Sequence, residues 1–306
     1  MNALLSELGK TLVTRWLSYL VPTGLLFLGA AGTGAVLGHA RWYDLPAVID
    51  RIDELAASPD ERSLGAALAV AAGTVLLATG AGLLVRALGG AVDRLWLGSW
   101  PRGLGRLATR LRERRAARWA AADERAREAW RRHAATRAAL PPGGAGPDDA
   151  EPARRVAERD RICLVPPRRP TWIGDRVDAA DRRVLTAYGL DLAAAWPRLW
   201  LLVPEETRAE LRTARRSYDA AAQLVAWSLL YLALAAWWWP ALLVAATTFT
   251  VGIRRGRAAM DAFCALAESA VDLHARDLAT ALGLPYEGPL RAPTGRRITH
   301  HLRKDI

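Results

Sequence analysis

Asp175, Asp178 and Asp181 recur at three-residue spacing and are the best candidates in this chain for paired-carboxylate chemistry. On a helix they would share one face. Arg176, Arg182 and Arg183 stand among them, so a solvated, ion-paired face is the expectation and general acid–base work the lesser reading. Cys163 and Cys264 are the only cysteines and lie far apart, with no C-x-x-C pair or Cys/His cluster. This disfavours both a zinc site and a disulfide framework. The His300-His301 pair lacks acidic or cysteine partners at ligand spacing and reads as part of a polar tail. Gly143-Gly144-Ala145-Gly146 is not followed by Lys-Ser or Lys-Thr, as a phosphate loop would require. The Thr247-Thr248-Phe249-Thr250 run can line water, although helix hydroxyls more often bond back to their own turn. No catalytic constellation is recognisable, and neither an enzyme nor a cofactor nor a metal is expected.

The elements that carry these residues follow from hydropathy. Hydrophobic residues make up 52% of the chain while 24% are charged, a mixture that requires apolar blocks between polar ones. Residues 16–38 and 64–85 form uncharged runs of 23 and 22 residues. A bilayer core about 30 Å thick needs about 20 such residues. A third uncharged run covers 220–253; as one helix it would be about 51 Å long. Trp237-Trp238-Trp239-Pro240 offers a break, because proline opens a new helix and tryptophan favours the membrane interface. The fold class expected is therefore an all-α integral membrane protein with about four spans in two hairpins and a helical cytoplasmic region. The first run is too long for a signal-peptide core and is read as an uncleaved span.

Orientation follows from basic residues. The loop 40–63 carries three arginines against six acids, whereas 86–218 carries 28 arginines against 17 acids. Arg254-Arg255-Gly256-Arg257 follows the last span, and Lys10 and Arg15 precede the first. Positive loops stay inside. The expectation is a multi-pass membrane protein with 40–63 outside and both termini in the cytoplasm. Only two lysines accompany the arginines, a bias that a GC-rich genome also produces. The net charge of +11 thus supports topology better than nucleic-acid binding, which is disfavoured. Within the spans, Ala30, Gly34 and Gly38, and Ala78 and Gly82, are spaced for close helix packing, either within the chain or in a homo-oligomer.

The chain divides into a first hairpin (1–90, with the external loop 40–63), an arginine-rich helix (91–140) and a flexible Pro/Gly linker (141–152). A compact cytoplasmic segment (153–218), a second hairpin (219–254), a C-terminal helix (255–285) and a loose tail (286–306) follow. Trp96 and Trp100 beside Arg94 suit an interfacial segment, and Arg110, Arg114, Arg115 and Arg118 extend a basic surface for anionic lipid or a protein partner. In the compact segment, residues 162–165 suggest a short strand or an extended stretch. Thr171 caps a helix that Gly189 ends, and Asp191 caps a shorter one reaching Trp196-Pro197. Pro204-Glu205-Glu206 opens a helix that runs through Arg212, Arg215 and Arg216 into the third span. Met260, Phe263, Ala267, Ala270, His274, Leu278 and Ala281 form the stripe of the C-terminal helix, where His274 reads as a packed histidine; Gly283 ends it.

An ordered set of motifs runs through 170–286: Pro170-Thr171 with Gly174, Tyr188-Gly189-Leu190-Asp191, Trp196-Pro197-Arg198-Leu199 and Val203-Pro204-Glu205. A membrane hairpin follows, then Asp272-Leu273, Asp277-Leu278 and Leu282-Gly283-Leu284-Pro285. This resembles a group of multi-spanning actinobacterial membrane proteins without an assigned activity. The resemblance covers under half the chain. In that group asparagine commonly follows the first glycine, where Asp175 stands here. It implies a shared membrane-plus-cytoplasmic architecture and no catalytic site. The expected function is a non-enzymatic anchor or scaffold in a bilayer with an anionic inner leaflet, docking a cytosolic protein partner; the alternative is an oligomeric pore.

Overall fold

The computed structural model describes residues 21–57, 64–141, 148–284, 288 and 290–304. Among them all regular structure is helical: α1 Val21–Leu37, α2 Leu45–Ala57, α3 Leu64–Trp96, α4 Gly105–Ala138, α5 Ala150–Asp160, α6 Trp172–Tyr188, α7 Leu192–Leu202, α8 Glu205–Leu234, α9 Pro240–Ala281 and α10 Ala292–Arg303. A single 3-10 turn, Arg102–Leu104, precedes α4. The chain forms two compact units, Met1–Val92 with Asp219–Arg255, and Asp93–Tyr218 with Gly256–Ile306. The divisions fall inside α3, α8 and α9.

Unit 1 packs through small residues. Gly24 of α1 approaches α3 so closely that a Cβ there would clash with the carbonyl of the fully buried Ala78. Gly34 is covered by Trp238, whose Cβ would lie 2.9 Å from a Cβ at that position. Gly252 of α9 faces Val225 and Ala221 of α8, and Gly89 of α3 faces Gln223. Such faces let helix backbones approach closely and gain van der Waals contact. The large side chains point outward instead: Leu26 and Leu76 are each 71% exposed, and Leu77, Leu83, Leu84, Leu232, Leu242 and Leu243 are exposed with them. One described helix, over Leu68–Trp96, is long and apolar enough to cross a membrane, with mean hydropathy 2.1; Val21–Leu37 is a shorter apolar helix.

The turns of unit 1 are aromatic. Gly38 ends α1 at φ 60° and gives its N–H to the Gly34 carbonyl at 2.9 Å. Just beyond, Trp42 meets Tyr43 at 5.6 Å and Trp239, from the α8–α9 turn, at 5.0 Å between ring centroids. The helix break at Trp237-Trp238-Trp239-Pro240 is present, with α8 ending at Leu234 and α9 opening on Pro240. The expected loop 40–63 instead contains α2; its residues 58–63 lie outside the described set, as do 16–20 of the first expected span.

Unit 2 has a conventional core. Val184, Leu190, Ala195, Leu199, Val203, Ala270, Val271, Ala275, Leu278, Ala279, Ile298 and Leu302 bury one another, drawing on α6, α7, α9 and α10. Helix α10 corrects the loose tail. Its apolar positions are sparse, but Ile298 and Leu302 fall one turn apart on one face and are buried. Gly295 sits so close to the Tyr188 carbonyl that no side chain fits. The linker 141–152 is also shorter than expected: α5 opens at Ala150, buries Pro152 and packs along α4, with 142–147 outside the described residues. Residues 162–165 form no strand and run as a loop. Helix α7 continues through Pro197 to Leu202.

Candidate functional site

Asp175 is the most constrained polar residue of unit 2. Thr171 caps α6 by accepting the Gly174 N–H at 3.0 Å, while its own hydroxyl donates to the Trp96 carbonyl at the end of α3. One turn on, Asp175 is fully buried. Its Oδ1 accepts the backbone N–H groups of Arg168 (2.8 Å) and Arg169 (2.7 Å). Its Oδ2 accepts Arg115 Nε (3.0 Å) and Nη2 (2.8 Å). Arg115 Nη2 also reaches the Ile162 carbonyl at 3.1 Å, and Trp119 Nε1 donates to the Cys163 carbonyl at 2.8 Å. A carboxylate taking four donors offsets the cost of its burial and ties α4, α6 and the loop between α5 and α6 together.

The next residue, Arg176, faces α9. It pairs with Asp261 at 2.6 Å and Glu268 at 2.8 Å, and Arg183 joins Glu268 at 3.1 Å. Burial opposes the Arg176 charge, but the two carboxylates prevail and hold its pKa above the ordinary value. Cys264, buried beside it, has its thiol pushed up to about 12 by burial, and burial likewise raises Cys163. Neither is an activated nucleophile. The carboxylate row is thus not the solvated face expected from sequence. Asp175 is interior, Asp178 pairs with Arg182 at 2.8 Å, and Asp181 is raised by burial and by the nearby Asp191. A small cavity of about 140 Å³ bounded by Cys163, Trp172, Arg176 and Asp261 offers a cation already neutralised by its neighbours.

The sequence-selected surface residues separate. Arg94, Arg110, Arg114 and Arg118 are exposed. Trp96 is not: it is buried against Tyr218 at 5.6 Å, because α3 continues to it as a packed helix. Arg115 is engaged by Asp175 and is no surface contact. Trp100 is half-buried, its indole N–H on the Leu95 carbonyl at 3.0 Å. In unit 1, Ala30 is half-buried and Ala78 and Gly82 are buried. Gly38 serves the turn rather than packing, since a Cβ there would meet open space. Trp237 and Trp239 are exposed, but Trp238 turns inward over Gly34. Among the described residues no group of three or more His, Cys, Asp or Glu could hold a metal ion.

One feature with binding geometry was not foreseen from the sequence. A hollow of about 400 Å³ in unit 2 is lined by Trp196 and Trp200 of α7, Leu211, Arg212, Arg215 and Arg216 of α8, and Phe263 of α9. Trp196 lies 6.1 Å from Trp200 and 6.3 Å from Phe263 between ring centroids. The Arg212 guanidinium stands 5.6 Å over the Trp200 ring and pairs with Glu205, whose carboxyl that hydrogen bond holds below the usual range. Arg215 lies 5.2 Å over Tyr218 and 3.9 Å from Asp93. Arg216 is exposed. The available signals were the i,i+4 tryptophan pair of α7 and arginines at i, i+3 and i+4 on α8, which place three guanidiniums on one face. Comparison with family models, curated proteins and solved structures finds no match.

Proposed function

We propose that this chain is a four-span protein of a bacterial cytoplasmic membrane, with both termini and unit 2 in the cytoplasm. In this reading it anchors or scaffolds a soluble partner and carries no catalytic role. The observation that carries the membrane reading is the inverted packing of unit 1, which buries glycine and alanine and exposes leucine on α1, α3, α8 and α9. In water such a surface would be an aggregation site; in lipid it is the ordinary solvent-facing surface. The aromatic contact between the α1–α2 and α8–α9 turns supports two hairpins ending at one membrane interface. The uncharged helical parts of the second hairpin, 220–234 and 240–253, are only about 22 Å long, so arginines such as Arg254 and Arg255 must snorkel or the bilayer must thin there. The family resemblance over 170–286 is consistent with this architecture.

The anchor reading is supported by the self-contained core of unit 2 and by the exposed basic face of α4. Crosslinking in native membranes followed by affinity purification should recover a stoichiometric cytosolic protein; recovery of this chain alone at saturating crosslinker would remove the anchor role. The pore reading draws no equivalent support. Thr248 Oγ1 donates to the Val244 carbonyl at 2.7 Å and Thr250 Oγ1 to the Ala246 carbonyl at 2.8 Å, so those hydroxyls are spent within their own helix.

A further inference from the structure

We propose that the hollow between α7, α8 and α9 of unit 2 is a binding site for one anionic phospholipid. The inference rests on the membrane reading above. Its floor is Trp196, Trp200, Leu211 and Phe263, and its rim carries Arg212, Arg215 and Arg216. A volume of about 400 Å³ falls in the range of small-molecule sites and holds a headgroup with the first part of its chains. The rim chemistry selects for phosphate: guanidinium presents planar paired donors that match phosphate oxygens, in bonds about twice as strong as neutral ones. Stacking over Trp200 and Tyr218 holds Arg212 and Arg215 in place before a ligand arrives. Glu205 and Asp93 offset part of that charge, which disfavours multiply charged ions and leaves room for a single phosphodiester. The floor supplies what a free phosphate cannot use. In sequence, Arg216 stands four residues before the uncharged run that begins at 220, so the rim belongs to the segment that leads into that run.

The test uses the full chain in a nonionic detergent and water-soluble short-chain lipids, with native mass spectrometry to count adducts. Because those lipids need no bilayer, the test stands even if the membrane reading fails; that reading is checked separately by alkaline extraction of native membranes. Phosphatidylglycerol should bind at one per chain, and phosphatidylcholine and inorganic phosphate about tenfold more weakly. The Arg212→Gln/Arg216→Gln variant should lose about tenfold in phosphatidylglycerol affinity. Arg110→Gln/Arg114→Gln, which removes the same charge from the exposed face of α4, should bind as the unaltered chain does. Trp200→Leu should weaken the lipid while leaving the weak phosphate binding unchanged. Circular dichroism confirms that each variant is folded. Equal binding of phosphatidylcholine, equal loss in both arginine doubles, or full competition by inorganic phosphate would each overturn the proposal.

Discussion

The two units are built on opposite rules from the same amino-acid supply. Unit 1 keeps Gly24, Gly34, Ala78 and Gly252 inside and leaves Leu26, Leu76 and Leu243 outside. Unit 2 keeps Leu199, Leu278, Val271 and Ile298 inside and surrounds them with arginine-based ion pairs. Burying a leucine is worth about 1.5–3 kcal/mol only when the alternative is water. Where the surroundings are hydrocarbon that gain vanishes, and close approach of small residues is what remains. On the membrane reading proposed above, the contrast corresponds to two solvents for one chain.

The largest effect should come from the polar centre of unit 2. Asp175→Ala removes the acceptor of two backbone N–H groups and the carboxylate partner of the half-buried Arg115, which keeps only the Ile162 carbonyl, and should cost about 3–5 kcal/mol. Asp175→Asn keeps an acceptor oxygen and should cost less. Denaturant titration of the detergent-solubilised chain, read by tryptophan fluorescence, measures both; equal and negligible losses would mean that Asp175 does not organise the unit.

The rule of inversion is tested by a crossed pair. Leu199→Ala should cost about 2–5 kcal/mol, as core truncations do, and Leu76→Ala no more than about 0.5 kcal/mol in the same detergent assay. The converse substitution, Gly24→Val, should cost about 1–3 kcal/mol because α1 must move off Ala78. If Leu76→Ala matched Leu199→Ala, unit 1 would follow the rule of unit 2.

A smaller effect is expected from acid. Burial would raise the Asp191 carboxyl, but the Ala194 N–H and Arg303 overcome it and hold the pKa below the ordinary aspartate range. A depressed folded-state value means that its contribution is complete above the ordinary range and disappears as pH falls through the folded value. The docking of α10 through Arg303 should therefore weaken below about pH 4, and Asp191→Asn should abolish that part of the acid response while leaving neutral-pH folding in place. Hydrogen exchange at α10 as a function of pH reads it.

Much of this division was legible beforehand. Charge-free runs marked the apolar helices, Thr171, Gly189 and Asp191 marked the caps of α6 and α7, and Pro240 marked the break. The residues that failed to announce themselves depend on tertiary partners. Asp175 read as one of a surface row, because nothing local indicates that Arg115 will reach it from sixty positions away. Helix α10 was hidden by its arginines and glycine, since only Ile298 and Leu302 identify its buried face. Trp96 and Trp238 carried the composition of interface residues, but their backbones turned them inward. The hollow joins residues of three helices, and its arginines read as the basic end of a span.

The most direct test of the two-solvent account is thiol labelling in intact cells with an impermeant maleimide, on a background in which Cys163 and Cys264 are replaced. Leu76→Cys and Leu243→Cys, exposed in the folded chain, should stay unlabelled even after permeabilisation, because lipid surrounds them. Asp50→Cys should label from outside, and Glu124→Cys only once the membrane is opened. Labelling of Leu76→Cys at the rate of Glu124→Cys would place unit 1 in water and contradict the account.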